Sequence, residues 1–252
     1  MSLKGFKSGT DIRGYGAVEY SEEKLFLSDE VVSKITVAFA QWLSERNNKD
    51  FAELSVSVGR DSRVSGPRII KAVADTLSSL GVSVKNCGLA STPAMFMSTL
   101  DLKCDGAVQI TASHHPWERN GLKFFTPDGG LEGSDIATLL EKAENINIDG
   151  IVADSTKLTD VDYMSDYAAH LREMIKKGVN AENYEKPLDG FKIIVDAGNG
   201  VGGFYAENVI KPLGADTEGS QFLVPDGMFP NHIPNPENAD AMKSICSAVI
   251  NS

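Results

Sequence analysis

Short apolar runs at residues 54–59, 82–87 and 105–111 are separated by stretches, residues 66–80 and 92–100, whose apolar positions recur at helical spacing. Strand, helix, strand, helix, strand at these distances leaves few choices, because strands joined through a helix pack as right-handed parallel crossovers. Pro67 and the Thr92-Pro93 pair stand where a first helical turn tolerates proline, with Thr92 read as a cap. A longer helix precedes them: Ser28 can cap it, and Val32, Ile35, Phe39 and Leu43 share one face through Arg46. The class is α/β. In such sheets a ligand crevice opens beyond the carboxyl ends of the strands, and the stretches at residues 60–63 and 111–116 both follow a strand directly.

Beyond the turn-rich TPDGGLEG at residues 126–133, a helical stretch over 135–145 closes the first unit, and residues 162–177 read as a helix leading to a boundary. KPLDG at residues 186–190 reads as the turn that opens a new domain, which divides the chain at 1–185 and 186–252. The C-terminal domain contains a buried strand over 191–195, the turn DAGNGVGG, a helix to about Leu213, a strand over 216–223 and a last helix with Ala239, Met242, Ile245 and Val249 on one face. The expectation is two consecutive three-layer α/β domains with mainly parallel sheets. With so little sheet, the C-terminal domain is expected to be incomplete, a piece of something longer.

A formal net charge of −11 argues against general affinity for nucleic acid or an anionic membrane, both of which call for clustered Lys and Arg. No apolar run approaches the roughly 18 residues of a membrane span, and the N-terminus has no apolar leader, so a cytoplasmic setting is expected. Cys87, Cys104 and Cys246 are odd in number and widely spaced, which argues against a disulfide framework or a zinc site; each is expected to be a small buried hydrophobe.

Against that acidic background the segment TASHHPWERNGLK is a local exception. Ser113 sits one step past a strand end, with His114, His115, Arg119 and Lys123 within ten residues and only Glu118 opposing them. Such a cluster suits a phosphate-sized anion; a solvated turn set by Pro116 is the competing account. Serine hydrolysis fits poorly, since no Gly-x-Ser-x-Gly elbow surrounds Ser113. In KSGTDIRG, Arg13 holds a permanent charge beside Gly14, though an arginine taken alone is more often a surface ion pair, here with Asp11. In RDSR, Arg60 and Arg63 flank Asp61, which allows a local ion pair. Gly198, Gly200 and Gly203 match the dinucleotide fingerprint, with Glu218 at the expected distance, so an NAD-dependent dehydrogenase competes with a plain tight turn there. His170 and His232 have no partner evident in the sequence and are read as structural, and Trp117 as a loop anchor.

Taken together, GTDIRG at residues 9–14, VGRDSRVSG at 58–66, TASHHP at 111–116 with NGLKFF at 120–125, and DAGNGVGG at 196–203 resemble, in order and spacing, the α-D-phosphohexomutases, the phosphoglucomutase/phosphomannomutase superfamily. The resemblance covers that family's first domain and most of its second. It implies an isomerase interconverting hexose 1-phosphate and hexose 6-phosphate, in which Ser113 carries a phosphoryl group and a sugar bisphosphate is the intermediate. Lys123 would be the general acid/base, and His114 and Arg13 would stabilise the transferring charge, with Thr10, His115 and Arg60 in the phosphate-binding set. It also implies Mg²⁺, held by the phosphoserine and by three aspartates of a D-G-D-x-D-R loop, and a glucose 1,6-bisphosphate-type activator. That loop is not found in this chain, and neither are the third and fourth domains of the family. The chain is therefore expected to be an N-terminal fragment, inactive without those partners of its own chain. Under the resemblance DAGNGVGG opens the second domain and is no nicotinamide site. His115 stands where many members have asparagine. A non-catalytic phosphosugar-binding module is the alternative.

Overall fold

A computed structural model describes residues 2–252. By contacts the chain falls into two compact units, the first comprising residues up to Ser113 with Trp117–Val161, the second His114–Pro116 with Asp162–Ser252.

In the first unit, β1 (Lys7–Ser8) and β2 (Asp11–Tyr15) lead to helix α1 (Asp29–Asn47). Strands β3 (Ser55–Arg60), β4 (Ser83–Leu89) and β5 (Gly106–Ile110) then alternate with α2 (Gly66–Ser79) and α3 (Thr92–Asp101). After them come β6 (Arg119–Thr126), β7 (Gly129–Gly130), α4 (Gly133–Glu144) and β8 (Leu158–Asp160). The strand order is β1-β2-β6-β5-β3-β4-β8, with β7 paired to β6.

The crossovers read from the sequence form as expected: β3 runs parallel to both β4 and β5, and β4 parallel to β8. The other wing is antiparallel, β6 lying between β5 and β2. Its cause is the loop over residues 111–118, too short for a parallel crossover, which takes about a dozen residues or more. That loop carries Ser113.

Alternation along β3 makes the layers. Val56 and Val58 enter the main core with Val32, Ile35 and Phe39 of α1, Ile69 and Val73 of α2, and Ile136 and Leu139 of α4. From the opposite face Ser57 shares a 2.6 Å hydrogen bond with Ser98 of α3. Ser28 caps α1, accepting from the Val31 amide. For α3 the cap is Ser91, accepting from the Ala94 amide, one residue earlier than expected, with Thr92 and Pro93 inside the first turn.

In the second unit, α5 (Tyr163–Val179) packs Ala168 on Val209 and Leu213. Contacts thus group α5 with the second unit, whereas the reading of the sequence ended the first domain after it. The segments expected as strands at 191–195 and 216–223 lie parallel but meet only at isolated bridges, Lys192↔Asp216 and Asp196↔Gln221. A lone pair of strands gains little from ladder pairing. The helix expected up to Leu213 becomes a π-helical turn over Tyr205–Ile210 and a 3₁₀ turn over Lys211–Leu213, where Pro212 lacks the amide an α-helix would use. Asn238 caps α6 (Ala239–Asn251).

All three cysteines are free thiols. Cys87 and Cys104 are buried, and burial pushes the Cys87 thiol up to about 12. Cys246 departs from expectation, being exposed on α6. Among the described residues no helix is long and apolar enough to cross a membrane.

Candidate active site

Two polar clusters lie on the first unit around the end of β5. The first spans β2 and β6. Register places Arg13 opposite Gly121 and Ile12 opposite Leu122, and residues two apart on a strand share a face, so Asp11, Arg13 and Lys123 can converge. They do: Arg13 Nη2 donates to Asp11 Oδ2 at 2.9 Å, and Lys123 Nζ donates to the same oxygen at 2.5 Å. Asp11 is only 7 % exposed, so the pair foreseen as a surface contact is a buried carboxylate under two cations. The close approach of strands here requires Gly121. A Cβ at that position would lie 2.3 Å from the Ile12 carbonyl oxygen and 2.9 Å from that of Thr111.

The second cluster carries the serine. β3 ends at Arg60, and the chain turns through Asp61 to Arg63, which is fully buried. Arg63 Nε donates to Asp61 Oδ2 at 3.0 Å, its Nη1 to the Arg119 carbonyl at 3.0 Å, and its Nη2 to the Ser113 carbonyl at 3.0 Å. Thr111 donates its hydroxyl to Asp61 Oδ2 at 2.7 Å and accepts from the Ser113 amide at 3.0 Å. Burial lifts the Asp61 carboxyl above the usual carboxylate range, while Arg63 and the Thr111 hydroxyl pull it down. Burial likewise pushes the Arg63 guanidinium down; Asp61 opposes that, and the charge of Arg13 adds to it.

Ser113 is exposed and adopts φ +60°, the left-handed region that a non-glycine residue enters only at a cost. His114 and His115 stack with ring centroids 5.1 Å apart; His114 is exposed, His115 half-buried. By contacts both count with the second unit. Arg60 is half-buried, and its Nη1 donates to the Asp61 carbonyl. Thr10 is exposed in the turn before β2. Sequence reasoning singled out Ser113, Lys123 and Arg13, and it anticipated the local ion pairs of Asp11 with Arg13 and of Asp61 with an arginine of RDSR, both of which form; it gave Thr111 no role and none of these residues a part in holding the serine. Their polar character was visible; their burial was not. Trp117 does behave as an anchor, edge-on to Tyr20 at 6.4 Å.

The glycine fingerprint of the second unit serves internal packing. A Cβ on Gly203 would fall 2.0 Å from the Leu223 carbonyl oxygen, so the residue is needed for backbone to pass backbone. Asp196, at the head of the turn, accepts from Gln221 Nε2 at 2.7 Å and faces His232 Nε2 at 3.0 Å. His232 therefore has a partner that the sequence did not reveal, in keeping with its reading as a structural residue.

Residues 8–147 match the family Phosphoglucomutase/phosphomannomutase, alpha/beta/alpha domain I, and residues 165–252 match its alpha/beta/alpha domain II. The chain belongs to this family. Among its relatives, a phosphoglucomutase of Neisseria gonorrhoeae is 33% identical over 199 residues, covering 78% of this chain and 40% of that protein. A phosphoglucosamine mutase of Nautilia profundicola is 30% identical over 196 residues, covering 76% of this chain and 41% of that one. A solved phosphoglucomutase/phosphomannomutase family protein from Burkholderia thailandensis superposes on all of the chain with a TM-score of 0.78 at 26% identity, over 51% of its own length. The chain thus spans less than half the length of these curated relatives.

As for the metal implied by the resemblance, no group of three or more His, Cys, Asp or Glu side chains that could hold an ion is gathered among the described residues. The described residues alone do not complete a magnesium site.

Proposed function

We propose that Ser113 is the phosphoryl carrier of a phosphohexomutase whose parent protein interconverts hexose 1-phosphate and hexose 6-phosphate in the cytoplasm. The observation that supports this most is an exposed serine on a left-handed, hydrogen-bonded backbone in the loop that joins β5 to β6, the strand that carries Lys123 and pairs with the strand of Arg13. Phosphoryl transfer asks mainly for positioning and for fixed positive charge.

In the first half-reaction the bond between phosphorus and Ser113 Oγ breaks, Lys123 protonates Oγ, and a sugar hydroxyl, giving its proton to water, forms the new O–P bond. The bisphosphate results. In the second, Oγ attacks the other phosphate and returns its proton to Lys123, the O–P bond to the sugar breaks, and the sugar oxygen takes a proton from water as the isomeric monophosphate leaves. Arg13 neutralises charge on the transferring group, with His114, and Thr10, His115 and Arg60 bind phosphate oxygens. The magnesium ion and bisphosphate activator implied by the resemblance belong to the parent protein, together with its sugar-reading domains.

The deciding experiment is Ser113→Ala in the parent protein, with intact mass measured before and after exposure to hexose 1,6-bisphosphate. Turnover should vanish, as should the gain of one phosphoryl group seen in the unsubstituted protein. Near-normal turnover in Ser113→Ala would overturn the assignment.

A further inference from the structure

We infer that Thr111, Asp61 and Arg63 are positioning residues for Ser113, forming a buried clamp that holds its backbone left-handed and so presents its hydroxyl outward. The functional weight of this inference rests on the carrier reading above; the clamp itself is a statement about backbone geometry.

The hydrogen bonds close a circuit. The Ser113 amide donates to Thr111 Oγ1 at 3.0 Å, and that hydroxyl gives its own proton to Asp61 Oδ2 at 2.7 Å. The same carboxylate oxygen accepts from Arg63 Nε at 3.0 Å, and Arg63 Nη2 returns to the Ser113 carbonyl at 3.0 Å. Both backbone polar groups of Ser113 are thus tied, from opposite sides, to one set of side chains. Oδ1 of Asp61 accepts from the Arg63 amide at 3.1 Å, which fixes the carboxylate that fixes the guanidinium.

A left-handed backbone at a residue with a Cβ persists only where its surroundings over-determine it. Glycine would adopt this conformation freely, but glycine has no hydroxyl. A chain that needs both the conformation and the oxygen must hold the serine by other means, and the clamp supplies them. Arg63 also reaches the Arg119 carbonyl at 3.0 Å, so a single guanidinium bonds both the outgoing and the returning arm of the loop. The guanidinium donates here from three separate nitrogens held in one plane, whereas a lysine ammonium carries its three donors on a single nitrogen and cannot span the same acceptors. Arg63 is wholly buried and Thr111 is 4 % exposed, which keeps water from competing for these bonds.

The test pairs Thr111→Val, which deletes the hydroxyl at similar shape, with Thr111→Ser, which keeps it. Amide hydrogen exchange at Ser113 is measured in this chain, and the rate at which Ser113 takes a phosphoryl group from hexose 1,6-bisphosphate is measured in the parent protein. Thr111→Val should speed exchange at Ser113 by about tenfold. It should slow phosphoryl transfer by roughly tenfold to a hundredfold, with little change in KM, as a small misplacement of a reacting group does. Thr111→Ser should restore both. Unchanged exchange in Thr111→Val, or Val and Ser variants that transfer alike, would overturn the clamp. Should Thr111→Val fail to fold, Arg63→Lys decides by the same two readouts. If the unsubstituted parent takes no phosphoryl group, the carrier reading falls, and the exchange measurement alone judges the clamp.

Discussion

Replacing Arg63 by methionine is the sharpest probe of how the serine loop is stabilised. Methionine roughly preserves the buried stem, so little cavity opens, but the charge and all side-chain donors are lost. Asp61 is then left buried with the Thr111 hydroxyl and the residue-63 amide as its remaining donors, and the carbonyls of Ser113 and Arg119 lose theirs. Removing one partner of a buried pair costs about 3–5 kcal/mol, a large share of the roughly 5–15 kcal/mol that holds a domain folded. The assay is urea unfolding followed by tryptophan emission, which reports the first unit alone because Trp42 and Trp117 both belong to it. At an m-value of about 1–3 kcal/mol per molar, the midpoint should fall by roughly 1–5 M. Adding Asp61→Asn to Arg63→Met should recover part of the loss, because the uncompensated charge disappears while an acceptor for Thr111 remains. A single variant within about 1 kcal/mol of the unsubstituted chain, at unchanged m, would refute the view that Arg63 balances a buried carboxylate.

Lys123→Met in the parent protein should slow turnover by about 10²-fold or more; an unchanged steady-state rate would reassign the proton carrier. Gly121→Ala should destabilise the first unit by about 1–3 kcal/mol or more, because its methyl would sit 2.3 Å from a backbone oxygen; normal urea unfolding would contradict that. In the second unit, His232 Nδ1 faces the Ile233 carbonyl at 2.9 Å and Nε2 faces Asp196, two acceptors that favour the doubly protonated ring. Burial pulls the His232 pKa down, but the Ile233 carbonyl and Asp196 outweigh it, and the net shift is upward from 6.5. A folded pKa above the unfolded one means the stabilisation is complete below pH 6.5 and is lost as pH rises through the folded value. Amide exchange in α5 and α6 should therefore gain an additional increase over that range beyond the intrinsic pH dependence. His232→Gln should remove the excess, and its persistence in that variant would exclude the histidine.

The parts of this fold written in hydrophobic periodicity were legible: the face of α1, the cap at Ser28, and the parallel crossovers of β3, β4 and β5. The antiparallel wing was not, because β2 reads DIRGY, a strand whose alternation is carried by Asp11 and Arg13 as much as by Ile12. At the site, the serine, lysine and arginine stood out as charge in an acidic chain. Asp11 and Asp61 did not, since a carboxylate two residues from an arginine reads the same whether the pair is wet or buried. The Asp196–His232 contact joins residues 36 positions apart, and no local pattern announces it.

The strands on either side of the serine loop form one antiparallel hairpin, with Gln109 facing Lys123 and Ile110 facing Leu122. Lys123 is therefore indexed to the sheet, and through Gly121 to Arg13, by main-chain pairing that no change in loop side chains disturbs. Mutational drift at the loop positions after the serine can swap a histidine for an amide while the cationic frame stays in register. Divergence in a protein built this way is cheapest at the exposed loop positions beyond the serine and dearest in the ladder and at the buried threonine that ties the loop down.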